Sequence, residues 1–133
     1  MKYICLGFID PDKWTGFTEE QRQGFMDECF AYDEEMQKKG FYAGGFALQL
    51  PENAVSITWD GNRPEVTDGP YSETKEHVGG ILILEATDLN HAIQIISNHP
   101  SVRMGGPWEI RPAADLDDMV GQSQERRASA GKD

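Results

Sequence analysis

Apolar and polar positions alternate along the chain in blocks that predict a mixed α and β fold. Residues 2–9, "KYICLGFI", are apolar and rich in strand-forming side chains, which favours a first β-strand. After Thr18, apolar residues recur at spacings of four, three and four, the period of a helix. These residues are Phe25, Cys29, Tyr32 and Met36. Thr18 with Gln21 predicts a capping box and Gly40 predicts the end, so we expect a helix over residues 18–39.

Strand and hairpin signals dominate the middle of the chain. The predicted strands cover residues 41–50, 54–59 and 64–67. The second of them alternates, with Val55, Ile57 and Trp59 on one face, and the "DGN" that follows it is a hairpin turn signal. Residues 79–86, "GGILILEA", are apolar on both faces, which predicts a central strand covered on both sides.

A second helix and a last strand complete the predicted elements. Asp88 is placed to cap "LNHAIQIISN", whose apolar stripe is Leu89, Ala92, Ile93 and Ile96. Pro100 disfavours helix at His99, which therefore ends this helix. "GGPWEIRP" predicts the last strand. From residue 113 onward the chain is polar with Ala and Gly, and is expected to form either a frayed tail or a short helix.

The order of these elements is β-α-β-β-(short β)-β-α-β. Removing the hairpin insertion leaves βαββαβ, so the fold class is α+β with a ferredoxin-like arrangement. Two helices can cover one face of a four-stranded sheet, yet the strands carry apolar residues on both faces. We therefore expect a second copy of the chain to cover the other face, giving a homodimer that forms a dimeric α/β barrel.

Length and charge narrow the classes of function. The 133 residues suit one domain, predicted over residues 1–112 with a polar tail over 113–133. A net charge of −11 argues against nucleic acid and anionic membranes as partners, because phosphate binding needs a basic surface. No apolar run of about 18 residues predicts a membrane span. The apolar N-terminus is too short for a signal peptide, so a cytoplasmic protein is expected.

Several motifs then point to one family. "DGPYSETKE" at residues 68–76, a Gly-Gly pair before an apolar strand, an N-terminal "MKY" strand and a C-terminal "EIRP" together resemble the YCII-related family. The similarity is to its branch named for a D-G-P-F motif, and it covers roughly residues 1–112. Tyr71 stands where that motif has Phe, which keeps an aromatic ring and adds a hydroxyl.

The resemblance implies a ferredoxin-like fold, a dimeric α/β barrel and a small-molecule site in a cleft beside the sheet. It implies enzyme activity through relatives that resemble an isomerase and a dehydrochlorinase. Another branch has a proposed catalytic His/Asp pair, whose two members do not both map onto this chain. Some relatives of the D-G-P-F branch accompany sigma factors, which implies a regulatory alternative.

The candidate site residues are those that could move protons or hold an acidic small molecule. The catalytic candidates are Asp68, Glu76 and His99, and the substrate-binding candidates are Lys75, Arg103, Trp14 and Tyr71. Each has a structural alternative. Asp68 suits a turn, Glu76 a solvated segment or ion pair, and His99 the carbonyl groups at a helix C-terminus. Arg103 could equally pair with one of the 23 acidic residues.

Two classes of function follow from this pattern. One is an enzyme that transfers protons by acid/base chemistry, as in isomerisation or elimination, without a cofactor or a metal. The other is a non-catalytic binding or regulatory module, such as a sigma-factor accessory. The consecutive glycines at residues 44–45 and 105–106 fit neither the dinucleotide nor the P-loop pattern, and predict bulges or close packing. The expected partners are the chain itself and an unidentified small molecule.

Overall fold

The computed structural model describes residues 1–72, 74 and 76–131. Six strands and four helices follow one another along the chain. They are β1 (Lys2–Ile9), α1 (Glu19–Lys38), β2 (Tyr42–Ala47), β3 (Val55–Trp59), β4 (Pro64–Asp68), β5 (His77–Glu85), α2 (Leu89–Ser97), α3 (Pro100–Arg103), β6 (Trp108–Pro112) and α4 (Leu116–Ala130). Short 3-10 turns at Pro11–Trp14 and Pro51–Asn53 lie within two of the connections.

The main sheet has four strands in the order β2-β5-β1-β6, and all its neighbours are antiparallel. With the β3–β4 hairpin set aside, this is the strand order of a ferredoxin-like fold, which confirms the predicted fold class. β5 is central, as predicted. Gly79 forms a bulge in it, because Gly7 faces Gly80 while Phe8 faces Val78.

One face of the sheet carries the core. Tyr3 and Cys5 of β1 and Leu82 and Leu84 of β5 are buried against the helices. The helices contribute Met36, Ala92, Ile95 and Ile96 to the same cluster. Burying a side chain such as Leu84, which has no exposed surface, stabilises the fold by roughly 2 kcal/mol. This single apolar layer holds α1 and α2 on the sheet.

The opposite face of the sheet is open. We call it the free sheet face, and it consists of Ile4, Leu6, Phe46, Ile81 and Ile83. The strand register places these side chains together, since Ile4 faces Ile83 while Leu6 and Phe46 both face Ile81. Phe46 is 72% exposed and the four aliphatic residues are half-buried. Within one chain α1 and α2 both pack on the other face, so the covering of β5 on both sides stays a prediction that depends on a second copy.

Helix α1 begins as its sequence predicts. Thr18 Oγ1 accepts a hydrogen bond from Gln21 N, and the Gln21 side chain accepts from Thr18 N, which completes the capping box. Cys29 and Met36 of the predicted stripe are buried. The capping box and the apolar stripe both depend on residues that are close in sequence. The sequence alone was therefore enough to place this helix.

Helix α2 begins at the predicted cap but turns a different face to the core. Asp88 accepts a hydrogen bond from His91 N. Ile95 is buried, whereas Leu89 and Ile93 are exposed, so the predicted stripe is wrong at two positions. This helix has five apolar residues in nine, and spacing alone could not decide which of them face the sheet.

The β3–β4 hairpin, residues 55–68, stands apart from the main sheet, and we call it the arm. Its two strands pair only with each other among the described strands. At the tip, Asp60 Oδ1 accepts hydrogen bonds from Asn62 N and Arg63 N. These bonds lower the pKa of the Asp60 carboxyl. The turn predicted from "DGN" is thus present, with Gly61 at φ 104°.

The polar C-terminal segment forms a helix. α4 is capped by Asp115, which accepts a hydrogen bond from Asp118 N. None of the described residues of α4 is buried. Of the two alternatives for this segment, the structure has the helix. Among the described helices, none is both long and apolar enough to cross a membrane.

Candidate functional site

A cavity of about 310 Å³ lies at the end of β1, between the β1–α1 connection and the loop before β6. We call it the aromatic pocket. Its lining residues are Phe8, Ile9, Asp10, Lys13, Trp14, Phe17, Phe25, Ser101, Met104, Gly105 and Gly106. Aromatic rings make up much of the wall, which suits a flat, largely apolar ligand.

Local chain chemistry fixes the aromatic wall. Asp10 caps the 3-10 turn that follows β1, because its carboxylate accepts a hydrogen bond from Asp12 N at 3.0 Å. Trp14, at the end of that turn, packs on Phe17 and Phe25 with ring centroids 5.5 and 4.8 Å away. Arg22 of α1 donates to the carbonyl of Trp14 at 2.9 Å. The position of the indole is thereby fixed by ring packing and by the hydrogen bond to the Trp14 backbone.

The ammonium group of Lys13 lies at the mouth of the aromatic pocket. Lys13 Nζ is 3.6 Å from Glu76 Oε1 and 3.5 Å from the carbonyl oxygen of Gly105. Both contacts are long, and the Lys13 side chain is half exposed. Exposed ion pairs of this kind contribute about 0–1 kcal/mol, so the ammonium can exchange Glu76 for an anionic ligand at little cost.

The inner wall carries a hydroxyl connected to a buried imidazole. Ser101 Oγ lies 2.7 Å from His99 Nδ1 and accepts a hydrogen bond from Trp108 Nε1 at 2.6 Å. The backbone N–H of Ser101 also donates to His99 Nδ1, at 3.2 Å. Since Nδ1 accepts this bond, a neutral His99 carries its proton on Nε2. Ser101 therefore donates its own proton to Nδ1 and keeps a lone pair for a ligand.

Asp33 of α1 completes this chain of polar groups. His99 Nε2 is 3.7 Å from Asp33 Oδ1, and His99 is only 6% exposed. Asp33 Oδ1 is buried and has no hydrogen-bond partner among the described residues. A buried carboxylate oxygen without a donor is costly, and an imidazolium beside it would lower that cost. Asp33 therefore faces the Nε2 side of the imidazole, opposite the Nδ1 that meets Ser101.

The surroundings of His99 keep water away from the imidazole. Tyr32 meets its ring edge-on at 5.5 Å and Trp108 packs at 5.1 Å. The Tyr32 hydroxyl donates to the carbonyl of Ile95. Burial, followed by the nearby Glu35 and Asp33 charges, raises the Tyr32 pKa, so this phenol stays protonated. Ser101, which lines the pocket and contacts His99 Nδ1, therefore lies between a ligand in the pocket and the imidazole.

Three predicted site residues lie at or behind the pocket. Trp14 lines it, Glu76 pairs with the lysine at its mouth, and His99 lies behind Ser101. One interpretation of His99 is wrong. It does not cap the C-terminus of α2, because its side chain accepts from Ser101 N and so caps the N-terminus of α3. Pro100 starts that new turn, as proline does at a first helical position.

Three others lie elsewhere in the structure. Asp68 ends the arm and is exposed, and Tyr71 is 83% exposed. Arg103 pairs with Glu28 at 3.3 Å on the surface, which is the alternative weighed for it. Lys75 lies outside the described residues. The turn that follows Asp68 is held by backbone, since Gly69 N donates to the carbonyl of Ala54 at 2.7 Å.

Sequence reasoning missed Lys13, Ser101 and Asp33. All three depend on the loops and α1 meeting in space, which residue spacing does not report. A partial signal was present. "DP" at residues 10–11 and "HPS" at residues 99–101 each place a capping side chain before a proline, and both pocket loops begin there.

A second concave region surrounds His77, at the start of β5. Depressions of about 440 and 340 Å³ share this side chain, and Leu50 and Pro51 contribute to both. Both are wide open, so they enclose a ligand less well than the aromatic pocket does. Within the described residues, no cluster of three or more His, Cys, Asp or Glu side chains could hold a metal ion.

Comparison with known proteins adds three findings. Residues 1–117 match the YCII-related domain. An uncharacterised protein of Rhizobium meliloti (strain 1021) is 27% identical over 119 residues, which is 86% of this chain and 93% of that protein. A 5-chloro-2-hydroxyhydroquinone dehydrochlorinase from Burkholderia phenoliruptrix, solved with 2,5-dihydroxybenzoquinone, superposes with a TM-score of 0.51 at 15% identity. That superposition covers 86% of this chain and 94% of the dehydrochlorinase, and it supports the ferredoxin-like fold.

Proposed function

This chain belongs to the YCII-related domain family, and we propose that it binds a flat, acidic ring compound in the aromatic pocket and transfers a proton on it. The observation that carries the proposal is the pairing of a cation at the pocket mouth with a hydroxyl at its inner wall. Lys13 supplies the positive charge, and Ser101 is hydrogen-bonded to the buried His99. The apolar rings between them would hold the ligand and exclude water.

The proposed chemistry needs no group beyond the chain itself. A ligand C–H or O–H gives its proton to Ser101 Oγ as the serine proton passes to His99 Nδ1. Ser101 stays neutral, the ligand keeps the electron pair, and the imidazolium formed faces Asp33. Lys13 then stabilises the ligand anion.

Two outcomes are open to that anion. Return of the proton to a different atom completes an isomerisation. Departure of a leaving group with the electron pair completes an elimination, after which His99 gives its proton to solvent. The structural neighbour is named a dehydrochlorinase, and loss of HCl is an elimination of this kind.

The first test is binding of 2,5-dihydroxybenzoquinone, the compound held by that neighbour. Trp14→Ala should weaken binding at least tenfold, because aromatic contacts at the centre of a site carry much of its energy. Lys13→Met should also weaken it, and more for the anionic form than for a neutral quinone. Lys38→Met, at the exposed end of α1, is the matched control and should bind normally. Titration calorimetry of the four proteins gives the comparison.

A second test separates catalysis from binding. In D₂O the protein should accelerate exchange of ring hydrogens on the bound probe, followed by NMR. Ser101→Ala should slow exchange about 10²-fold or more while binding stays close to normal, since a positioned proton acceptor contributes about that factor. Ser97→Ala, an exposed serine on α2, is the control. Binding with no exchange in the unmodified protein would favour the non-catalytic module instead.

The homodimer belongs to the same proposal. The free sheet face offers a second copy an apolar surface, and its coverage by that copy would build the dimeric barrel. Light scattering at micromolar concentration would then report about twice the 14.9 kDa chain.

A further inference from the structure

The arm has an apolar face that nothing in the described chain covers. Val55, Ile57 and Trp59 of β3 alternate with polar residues, and the register sets Ile57 opposite Val66 and Trp59 opposite Pro64. All these apolar side chains therefore share one face. Val55, Ile57, Trp59 and Val66 are 59–68% exposed. The other face carries Ser56, Thr58, Glu65 and Thr67, as expected for a surface in water.

Such an arm is poorly suited to stand alone. An isolated two-stranded hairpin is at best marginally stable in water, and needs a further strand or a packing partner. The alternating pattern shows that one face is made for water and the other is not. A partner is therefore expected for the apolar face in particular.

The amount of exposed apolar surface fits a protein partner. Each large aromatic side chain can bury roughly 150–250 Å². Trp59 and Phe46 are each about two-thirds exposed or more, and Leu48 and Leu50 at the base of the arm are nearly half exposed. The largest patch on a typical monomer covers roughly 300–600 Å² and a stable complex buries roughly 800 Å² per partner, and the exposed side chains of the arm and of the free sheet face supply apolar surface for such a contact.

The same chain also presents a surface of the matching kind. Ile4, Leu6, Ile81 and Ile83 lie on the β2–β5–β1 side of the free sheet face, whereas β6 carries Glu109 and Arg111 on that face. The arm leaves the sheet from the connection between β2 and β5, next to the apolar side. A two-fold axis lets each copy cover the other's apolar surface, with both contacts satisfied at once.

We propose that the apolar face of the β3–β4 arm of one copy packs on the free sheet face of a second copy of this chain. The arm is then an interface element that packs on the partner copy. This rests on the homodimer proposed above and adds the element that holds it. We take the occupant to be a second copy because each copy carries both surfaces, so a two-fold dimer covers both arms and both sheet faces.

The first experiment measures dimerisation by sedimentation equilibrium. Ile57→Ser with Trp59→Ser should raise the dissociation constant at least tenfold, since truncating a buried aromatic at an interface has effects of this size. Thr58→Ala with Thr67→Ala changes the polar face of the same arm and should leave the constant unchanged. A dimeric unmodified protein whose constant is the same in both double variants overturns the arm contact but leaves the homodimer standing. A monomeric unmodified protein overturns both.

A second experiment keeps the proposal testable if the serine variants unfold the arm. One preparation carries Ile57→Cys and another carries Ile83→Cys, and the two are mixed and oxidised. A disulfide between the two preparations is expected, and replacing Ile57→Cys by Thr58→Cys should abolish it. Cys5 and Cys29 will not interfere, because burial raises the pKa of each thiol to about 11. Equal cross-linking from both arm positions, or from neither, contradicts the proposed contact.

Discussion

His99 takes its role from the proline that follows it. Pro100 ends α2 and starts α3, so the histidine side chain turns back to accept the Ser101 N–H and cannot reach the last carbonyls of α2. The sequence identified His99 as a titratable residue beside a helix end. It did not say which helix end, because proline can lie just after one helix or at the first position of the next. Sequence spacing does not distinguish these two positions. The packing of α3 shows that Pro100 lies at the first position of the next helix.

The two cysteines predict how stability depends on pH at the level of single residues. Burial raises the pKa of Cys5 and of Cys29 from near 9 to about 11. In the unfolded chain each thiol ionises near pH 9, whereas in the folded chain it stays protonated to about 11. Their contribution is therefore complete below pH 9, and the free energy of unfolding should fall as pH rises from 9 to 11. The loss should reach about 2 kcal/mol for each thiol.

Urea unfolding at pH 8 and pH 10.5 measures this loss. Cys5→Ala should be less stable at pH 8 but should lose less on going to pH 10.5 than the unmodified chain does. Tyr32, whose pKa is also raised, adds a loss in the same direction and remains in both proteins, so the comparison isolates the thiol. An equal loss in both proteins would contradict the predicted shift.

At the scale of elements, the sequence predicted whatever local neighbours decide. The capping box of α1, the Asp88 cap and the Asp60 turn each depend on three or four consecutive residues, and all are present. The predicted stripe of α2 was wrong at Leu89 and Ile93 because the helix has more apolar residues than one face can bury. The covering of β5 on both sides stays a prediction, because it depends on whether a second chain is present.

Helix α4 should be dispensable for the fold of the remaining domain. Deleting residues 114–133 removes no buried side chain among the described residues, so the thermal midpoint should fall by less than about 4 °C. Met36→Ala, which empties a buried position on α1, is the contrasting variant and should cost about 2–5 kcal/mol. Thermal unfolding followed by circular dichroism measures both. A similar drop in the two proteins would mean that α4 supports the core.

At the scale of the whole molecule, the proposed site is built from parts that are distant in sequence. The aromatic pocket draws on the end of β1, the first turns of α1 and the loop before β6. Its lysine, serine and aspartate could not be singled out beforehand, because each is a common surface residue until the fold brings it beside the others. The family motif at residues 68–76 gave the fold and the family, yet the described part of it touches the pocket only through Glu76 and Lys13.

The net charge of −11 predicts how the proposed dimer responds to salt. Two acidic copies repel one another, and salt screens that repulsion, with a Debye length of about 10 Å at 0.1 M falling to about 3 Å at 1 M. The dimer dissociation constant should therefore fall several-fold between 0.05 and 0.5 M NaCl, as measured by sedimentation. The thermal midpoint of a dilute monomeric sample in the same series is the control. A dimer that weakens with salt would show instead that ion pairs hold the interface.

Gly7 of β1 shows how a residue with no side chain can govern the pocket wall. The Trp108 indole occupies the space above it, so that a Cβ at this position would come within 2.9 Å of the ring. The same indole donates to Ser101 Oγ. Any larger residue here would push the ring aside and carry the serine hydroxyl with it. A different residue at position 7 would thus change the position of the Ser101 hydroxyl without touching the ligand. Relatives that differ at this position are expected to take a different substrate.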